Sequence, residues 1–227
     1  MNKTRGKVLI ILVAALFSAG LFLAYDASRH TESRYDVSIT REVQSWDVPG
    51  LDGVLEFVSE LTNFGPGLAI WTAVVAIFIW RGLRVEALAL LMAAVTFLGA
   101  ETLGLLVDRP RPSPELVHVS QSLVGNSFPS GHVFAAVVFY GLLVAMILRR
   151  TRMIVLRLLA PAMAMSIVVL AGVARVNLGV HWPSDVLGSL FLGSAVLGGL
   201  LWLYAGLSAG YLEFLGLEFR VRRRGSG

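Results

Sequence analysis

The sequence predicts an all-α protein, a six-transmembrane helical bundle with an interfacial amphipathic helical segment between spans one and two. Three observations lead there. Hydrophobic residues fill 56% of the 227 positions and charged residues only 15%, with a mean hydropathy of +0.74, an oily composition for a water-soluble domain. Six apolar segments are of a length that suits a bilayer core. Basic residues recur at every second junction between those segments. No internal repeat or low-complexity tract divides the chain, so residues 1–227 read as one integral-membrane domain. The absence of cysteine excludes a disulfide framework and a thiolate metal site.

The first span covers residues 8–24. Lys3, Arg5 and Lys7 precede it, as in a signal peptide, but no small-residue cleavage site precedes Asp26, so a retained span is expected. Residues 26–63 are more polar. Val43, Trp46, Leu51, Leu55, Phe57, Val58 and Leu61 are spaced as in an amphipathic helix broken at Pro49-Gly50. Such a helix suits the membrane interface, with Trp46 at headgroup level. Spans two to six follow at residues 65–80, 85–107, 132–148, 154–173 and 186–204, the second being short.

Orientation follows from the arginines and lysines. Besides the N-terminal group, Arg81 and Arg84 separate spans two and three, and Arg149, Arg150, Arg152 and Arg157 separate spans four and five. Arg220 and Arg222 to Arg224 follow span six. With six spans all four groups fall on one side, expected to be the cytoplasm, with both termini there. The net charge of +4 therefore reads as topology and not as nucleic-acid binding.

The polar residues that remain gather at the opposite membrane face. Arg109-Pro110-Arg111-Pro112 lies between spans three and four, where Arg111 offers a planar fork of donors for phosphate oxygens. Pro129-Ser130-Gly131-His132 opens span four. Ser130 is placed to cap that helix and to donate its hydroxyl, Gly131 admits close approach to free first-turn amides, and His132 suits general acid work. Arg175, His181 and Asp185 lie between spans five and six. Asp185 follows His181 by four residues, so its carboxylate is expected to hold one imidazole nitrogen and leave the other free to attack phosphorus. Taken singly, these are an interfacial arginine, a helix cap and a surface His–Asp pair. Their convergence on one face points to a phosphate site.

In these motifs the chain resembles the type 2 phosphatidic acid phosphatase family, related to vanadium haloperoxidases and glucose-6-phosphatase. That family carries a lysine, six residues, then Arg-Pro; next Pro-Ser-Gly-His; and last Ser-Arg, five residues, His, three residues, Asp. The resemblance implies that His181 is the nucleophile, that Asp185 orients it and that His132 protonates the leaving oxygen and later activates water. It implies that Arg111, Arg175, Ser130 and the Gly131 amide cradle the phosphoryl group, with no metal or other cofactor. The implied substrate is a lipid phosphate: undecaprenyl pyrophosphate, phosphatidylglycerol phosphate or phosphatidic acid. The implied setting is the plasma (inner) membrane, with the site on the extracytoplasmic side.

Two departures stand out. The family lysine falls at Gly104, and the serine before Arg175 is Ala174. Arg109 is a further candidate to supply the missing charge, and a lysine restored at 104 is expected to tighten phosphate or vanadate binding. Glu101, one turn before Gly104, is expected to pack within the bundle. A silent member that only binds lipid phosphates is the alternative to the enzyme. A transporter is disfavoured by the lack of paired repeats and broken helices. The sequence does not define oligomeric state.

Overall fold

The computed structural model describes residues 3–121 and 123–209, and these form eight α-helices and no strand. They are α1 (Lys3–Arg29), α2 (Arg34–Gln44), α3 (Leu51–Thr62), α4 (Phe64–Trp80), α5 (Arg84–Val107), α6 (Gly131–Arg150), α7 (Ile154–Asn177) and α8 (Pro183–Ser208). The arginines at 220 and 222–224 lie outside the described residues. Five helices, α1, α5, α6, α7 and α8, are long and apolar enough to cross a membrane. The sixth candidate is a bent pair: Leu51–Thr62 and Gly65–Trp80 meet at 55°. The second span expected at residues 65–80 is thus a short helix continuing from α3 around a corner.

Apolar side chains cover the outside as well as the inside, as a bilayer demands. Ile10, Ile11 and Phe22 on α1 and Met163, Met165 and Val169 on α7 are exposed, so the lipid phase is their solvent. Inside, Leu90, Phe134, Val138 and Leu142 are buried in the core between α5, α6 and α8. Lipid tails give apolar side chains little reason to leave them for one another, so helices associate by close packing at small residues. Gly20 of α1 lies against Leu192 of α8, and Gly198 of α8 lies against Val13 of α1. A Cβ at either glycine would come within 2.6 Å of its neighbour.

The two ends of the bundle differ. At one end, Arg150 donates to Oε1 of the buried Glu86 at 2.6 Å, and the hydroxyl of Tyr204 donates to the same oxygen at 3.0 Å. This ties the start of α5 to the ends of α6 and α8. At the other end, the long loop from α5 to α6 and the short turn from α7 to α8 meet under α2. Gln44 of α2 donates to the carbonyls of His118 and Asn177 and accepts from the His118 amide. The segment read as interfacial is therefore two helices, and both turn buried polar residues inward: Asp36 and Thr40 from α2, Ser59 from α3.

Candidate active site

His181 sits on the turn between α7 and α8. The turn is fastened by the amides of Val180 and His181, both donating to the carbonyl of Arg175. Gly179 makes it possible, with φ of +66° and a backbone so close to the neighbouring loop that a Cβ would fall 2.0 Å from the His118 carbonyl oxygen. The imidazole Nδ1 donates to the carbonyl of Ser127 at 2.7 Å, which leaves Nε2 as the nitrogen carrying the lone pair. Nη1 of Arg111 stands 3.4 Å from that Nε2. Burial pushes the His181 pKa below its usual value, against the opposing pull of Asp185. The ring is thus held neutral, the form a nucleophile requires.

The direct bond expected between Asp185 and His181 is replaced by a relayed one. Oδ2 of Asp185 is 3.8 Å from Nδ1 of His181, too far for a hydrogen bond. Instead the Ser127 hydroxyl donates to Oδ2, while the Ser127 carbonyl takes the imidazole proton. The same carboxylate caps α8 by accepting the Trp182 amide at 2.8 Å. Its other oxygen takes Nη1 of Arg109 at 2.6 Å.

Arg109 corrects a second expectation. All its donors are spent inside the protein, on the carbonyls of Thr31 and His30, the hydroxyl of Ser184 and the carboxylates of Asp36 and Asp185. It is 1% exposed, and with five donors so engaged it has none for a substrate. Arg109 is a clamp between α2 and the start of α8, and the missing lysine charge is not replaced by it.

The remaining residues frame a cavity of about 810 Å³. Arg111, Gly131, His132 and His181 line it. Arg111 is anchored by donating to the carbonyls of Gly125 and Val180, and its Nη2 has no partner among the described residues. Burial lowers its pKa, opposed by the charges of Asp185 and Glu101. His132, in the first turn of α6, has Nε2 3.3 Å from Oδ1 of Asn63 and 3.4 Å from Nη1 of Arg175. Arg175 is further held through Nη2 by the hydroxyl of Ser59. Of the four buried side-chain donors without a partner among the described residues, Ser130 Oγ and Arg175 Nε belong to this site. Ser130 occupies the cap position of α6 without making the side-chain cap bond. Leaving such groups unpaired costs about 1–3 kcal/mol each, a cost that phosphoryl oxygens would remove.

The cavity continues away from the polar end between α4, α5 and α6, past Leu68, Trp71, Val75, Leu91, Phe97 and Phe139. Glu101 faces this cavity and is exposed to it; the expected packing within the bundle is not what the structure has. Gly104 lines the cavity too, but a Cβ there would lie 2.9 Å from the carbonyl oxygen of Phe128. A lysine at 104 therefore does not fit without moving the loop that leads into Ser130.

Sequence reasoning missed Asp36, Ser59, Asn63 and Ser127. Ser127 had a signal, standing three residues before Ser130. The other three belong to the stretch read as interfacial and had none.

Comparison with known proteins gives the class of molecule. A family model described as the PAP2 superfamily matches residues 84–208, more than half of the chain. A crystal structure of the first transmembrane PAP2 type phosphatidylglycerolphosphate phosphatase from Bacillus subtilis superposes with a TM-score of 0.72 at 25% identity, covering 87% of this chain and 96% of that one. The crystal structure of Aquifex aeolicus LpxE shares the fold, with a TM-score of 0.57 at 22% identity over 76% of this chain and 98% of that one. No curated protein sequence matches the chain. The class is that of multi-pass helical membrane phosphatases. Within it, the chain belongs to the PAP2 superfamily.

Proposed function

We propose that this protein hydrolyses the phosphate monoester or pyrophosphate of a membrane lipid through a phosphohistidine on His181. The observation that carries the reading is the state of His181: Nδ1 tied to the Ser127 carbonyl, Nε2 unprotonated and beside Arg111 at the cavity wall. In the first step the Nε2 lone pair forms a bond to phosphorus as the bond to the leaving oxygen breaks. His132 gives that oxygen a proton. In the second step His132 takes a proton from water, whose oxygen displaces Nε2 and releases phosphate. Arg111, Arg175, Ser130 Oγ and the first-turn amides of α6 hold the equatorial oxygens, and such transfer depends largely on positioning and electrostatics. No step calls on a metal.

The apolar arm of the cavity suits the lipid tail, entering between α4, α5 and α6. We take α3 and α4 together as the second of six spans. The arginine-rich bundle end then faces the cytoplasm, and the site opens on the outer side of the plasma membrane. Undecaprenyl pyrophosphate, phosphatidylglycerol phosphate and phosphatidic acid are the starting panel, the second favoured by the Bacillus subtilis neighbour. The test is phosphate release by purified protein in detergent with a chelator present, beside His181→Ala. Release that persists in the chelator and disappears in the variant supports the reading. No release from any lipid leaves the silent lipid-phosphate binder, which the vacant position at Gly104 favours.

A further inference from the structure

The end of α3 presents a short polar row to the site. Ser59 and Asn63 stand four residues apart, on one face of the helix end. Ser59 accepts from Nη2 of Arg175. Asn63 meets His132, with its Oδ1 3.3 Å from Nε2 of the imidazole. The far end of the Asn63 amide fixes this orientation, because Nδ2 donates to Oε1 of Glu60 at 3.4 Å.

Asn63 closes α3 and opens α4, a place where asparagine commonly spends its side chain on capping. Here it makes no side-chain cap bond. It lines the cavity instead, so helix capping does not account for the residue.

Nε2 of His132 therefore stands between an acceptor and a donor. Oδ1 of Asn63 favours a proton on that nitrogen, whereas Nη1 of Arg175, 3.4 Å away, favours a lone pair there. The imidazole has no other hydrogen-bond partner among the described residues. Arg111 adds a second cation at the cavity wall. Without Asn63, the nitrogen that must carry a proton to the leaving oxygen would face a guanidinium and no acceptor.

We infer that Asn63 is a positioning residue for the general acid: its Oδ1 holds the Nε2 proton of His132 aimed into the cavity until the leaving oxygen takes it. The inference rests on the phosphatase reading for the destination of that proton. In the first step the imidazolium gives the proton to the leaving oxygen. The oxygen–phosphorus bond breaks as the bond from His181 Nε2 to phosphorus forms. His132 is left neutral, with a lone pair on Nε2 that Arg175 Nη1 steadies and that next takes a proton from water. Asn63 is unchanged throughout. A positioned general acid contributes about a hundredfold or more, so loss of its aim is expected to cost roughly tenfold or more.

The test compares two esters on full-length protein in detergent. Dodecyl phosphate loses an alkoxide, which must be protonated, and 4-nitrophenyl phosphate loses a phenolate, which leaves without a proton. The quantity read is kcat/KM, which ends at cleavage of the ester and leaves out the later water step. Asn63→Leu should lower it by roughly tenfold or more for dodecyl phosphate and change it little for 4-nitrophenyl phosphate. Asn63→Asp keeps an oxygen acceptor and should restore the ratio of the two. An equal loss on both esters, or a ratio that stays low in Asn63→Asp, overturns the inference. If Asn63→Leu does not fold, Asn63→Ala is read on the same terms.

A second measurement does not depend on turnover. In protein labelled with ¹⁵N-histidine, the His132 Nε2 proton should be sheltered from exchange in wild type and in Asn63→Asp, and exposed to it in Asn63→Leu. Equal shelter in Asn63→Leu overturns the inference. Shelter lost in Asn63→Leu, with no phosphate released from either ester by wild type, would sink the phosphatase reading and leave the hold of Asn63 on His132 standing.

Discussion

The carboxylate of Asp185 and the imidazole of His181 stand 3.8 Å apart, and Ser127 joins them, its hydroxyl donating to the one and its carbonyl accepting from the other. The orientation of the His181 imidazole is therefore set by a backbone carbonyl. The carboxylate acts at one remove, by fixing the loop that carries that carbonyl.

Ser127→Ala keeps the carbonyl and removes the hydroxyl. A buried carboxylate that loses one of its donors costs about 1–3 kcal/mol. We expect kcat to fall by roughly tenfold or more with KM little changed, because the defect lies in the aim of His181 and not in the phosphate cradle. Steady-state kinetics on one lipid phosphate checks this, and a change confined to KM would contradict it.

Arg109 neutralises two buried acids from helices far apart in the sequence, Asp36 and Asp185. Removing it by Arg109→Met leaves both carboxylates buried without their cation, at about 3–5 kcal/mol or more. Asp36→Asn leaves Arg109 with one full counter-charge and a weaker partner, so its cost is expected to be smaller. Thermal unfolding in detergent should rank wild type above Asp36→Asn above Arg109→Met. The reverse ranking would show that the clamp is not what fastens α2.

Burial holds the His181 pKa below its usual value of 6.5. The unfolded chain takes up this proton near its ordinary value while the native site resists it. The contribution to stability is thus complete above about 6.5 and is lost as pH falls below it. Activity should follow the same sign, with the acidic limb of kcat/KM below pH 6.5. The Arg111 charge is one of the causes that lower this pKa, so Arg111→Gln should move the limb to higher pH as well as raise KM. A limb that moves to lower pH would contradict the assignment.

Gly104→Lys is expected to weaken the enzyme. The carbonyl of Phe128 stands 2.9 Å from where the Cβ would be, and relieving that contact shifts the loop that carries Ser127 and Ser130. Overpacking of this kind costs about 1–3 kcal/mol. Gly104→Ala should already lower the unfolding temperature and turnover, and Gly104→Lys should bind vanadate no more tightly than wild type. Tighter vanadate binding by Gly104→Lys would show that the loop yields and that the family charge can be restored.

Much of the site was legible because its parts are local. His132 follows a helix cap, His181 and Asp185 sit four residues apart at a helix start, and hydropathy alone put both groups at one end of the bundle. The expected second span was harder to read, since residues 65–80 belong to a bent pair of helices, Leu51–Thr62 and Gly65–Trp80. What escaped depends on contacts between distant segments. In Arg109-Pro110-Arg111 both arginines suit a phosphate equally well. What removes Arg109 from the cleft is Asp36, 73 residues earlier. Ser59 reaches Arg175 over 116 residues, and no local pattern announces it. The cleft-facing aspect of Glu101 was missed for the same reason: the direction of one helix face is decided by what α6 places opposite.

The most direct test of the account is the fate of the phosphoryl group. Wild-type protein is mixed with a lipid carrying a radiolabelled phosphate, quenched in alkali within the first turnover and digested for peptide mapping. The account predicts label bound through nitrogen, stable in base and labile in acid, on the peptide containing His181, and none in His181→Ala. Label on another residue, or undiminished phosphate release by His181→Ala, would contradict it.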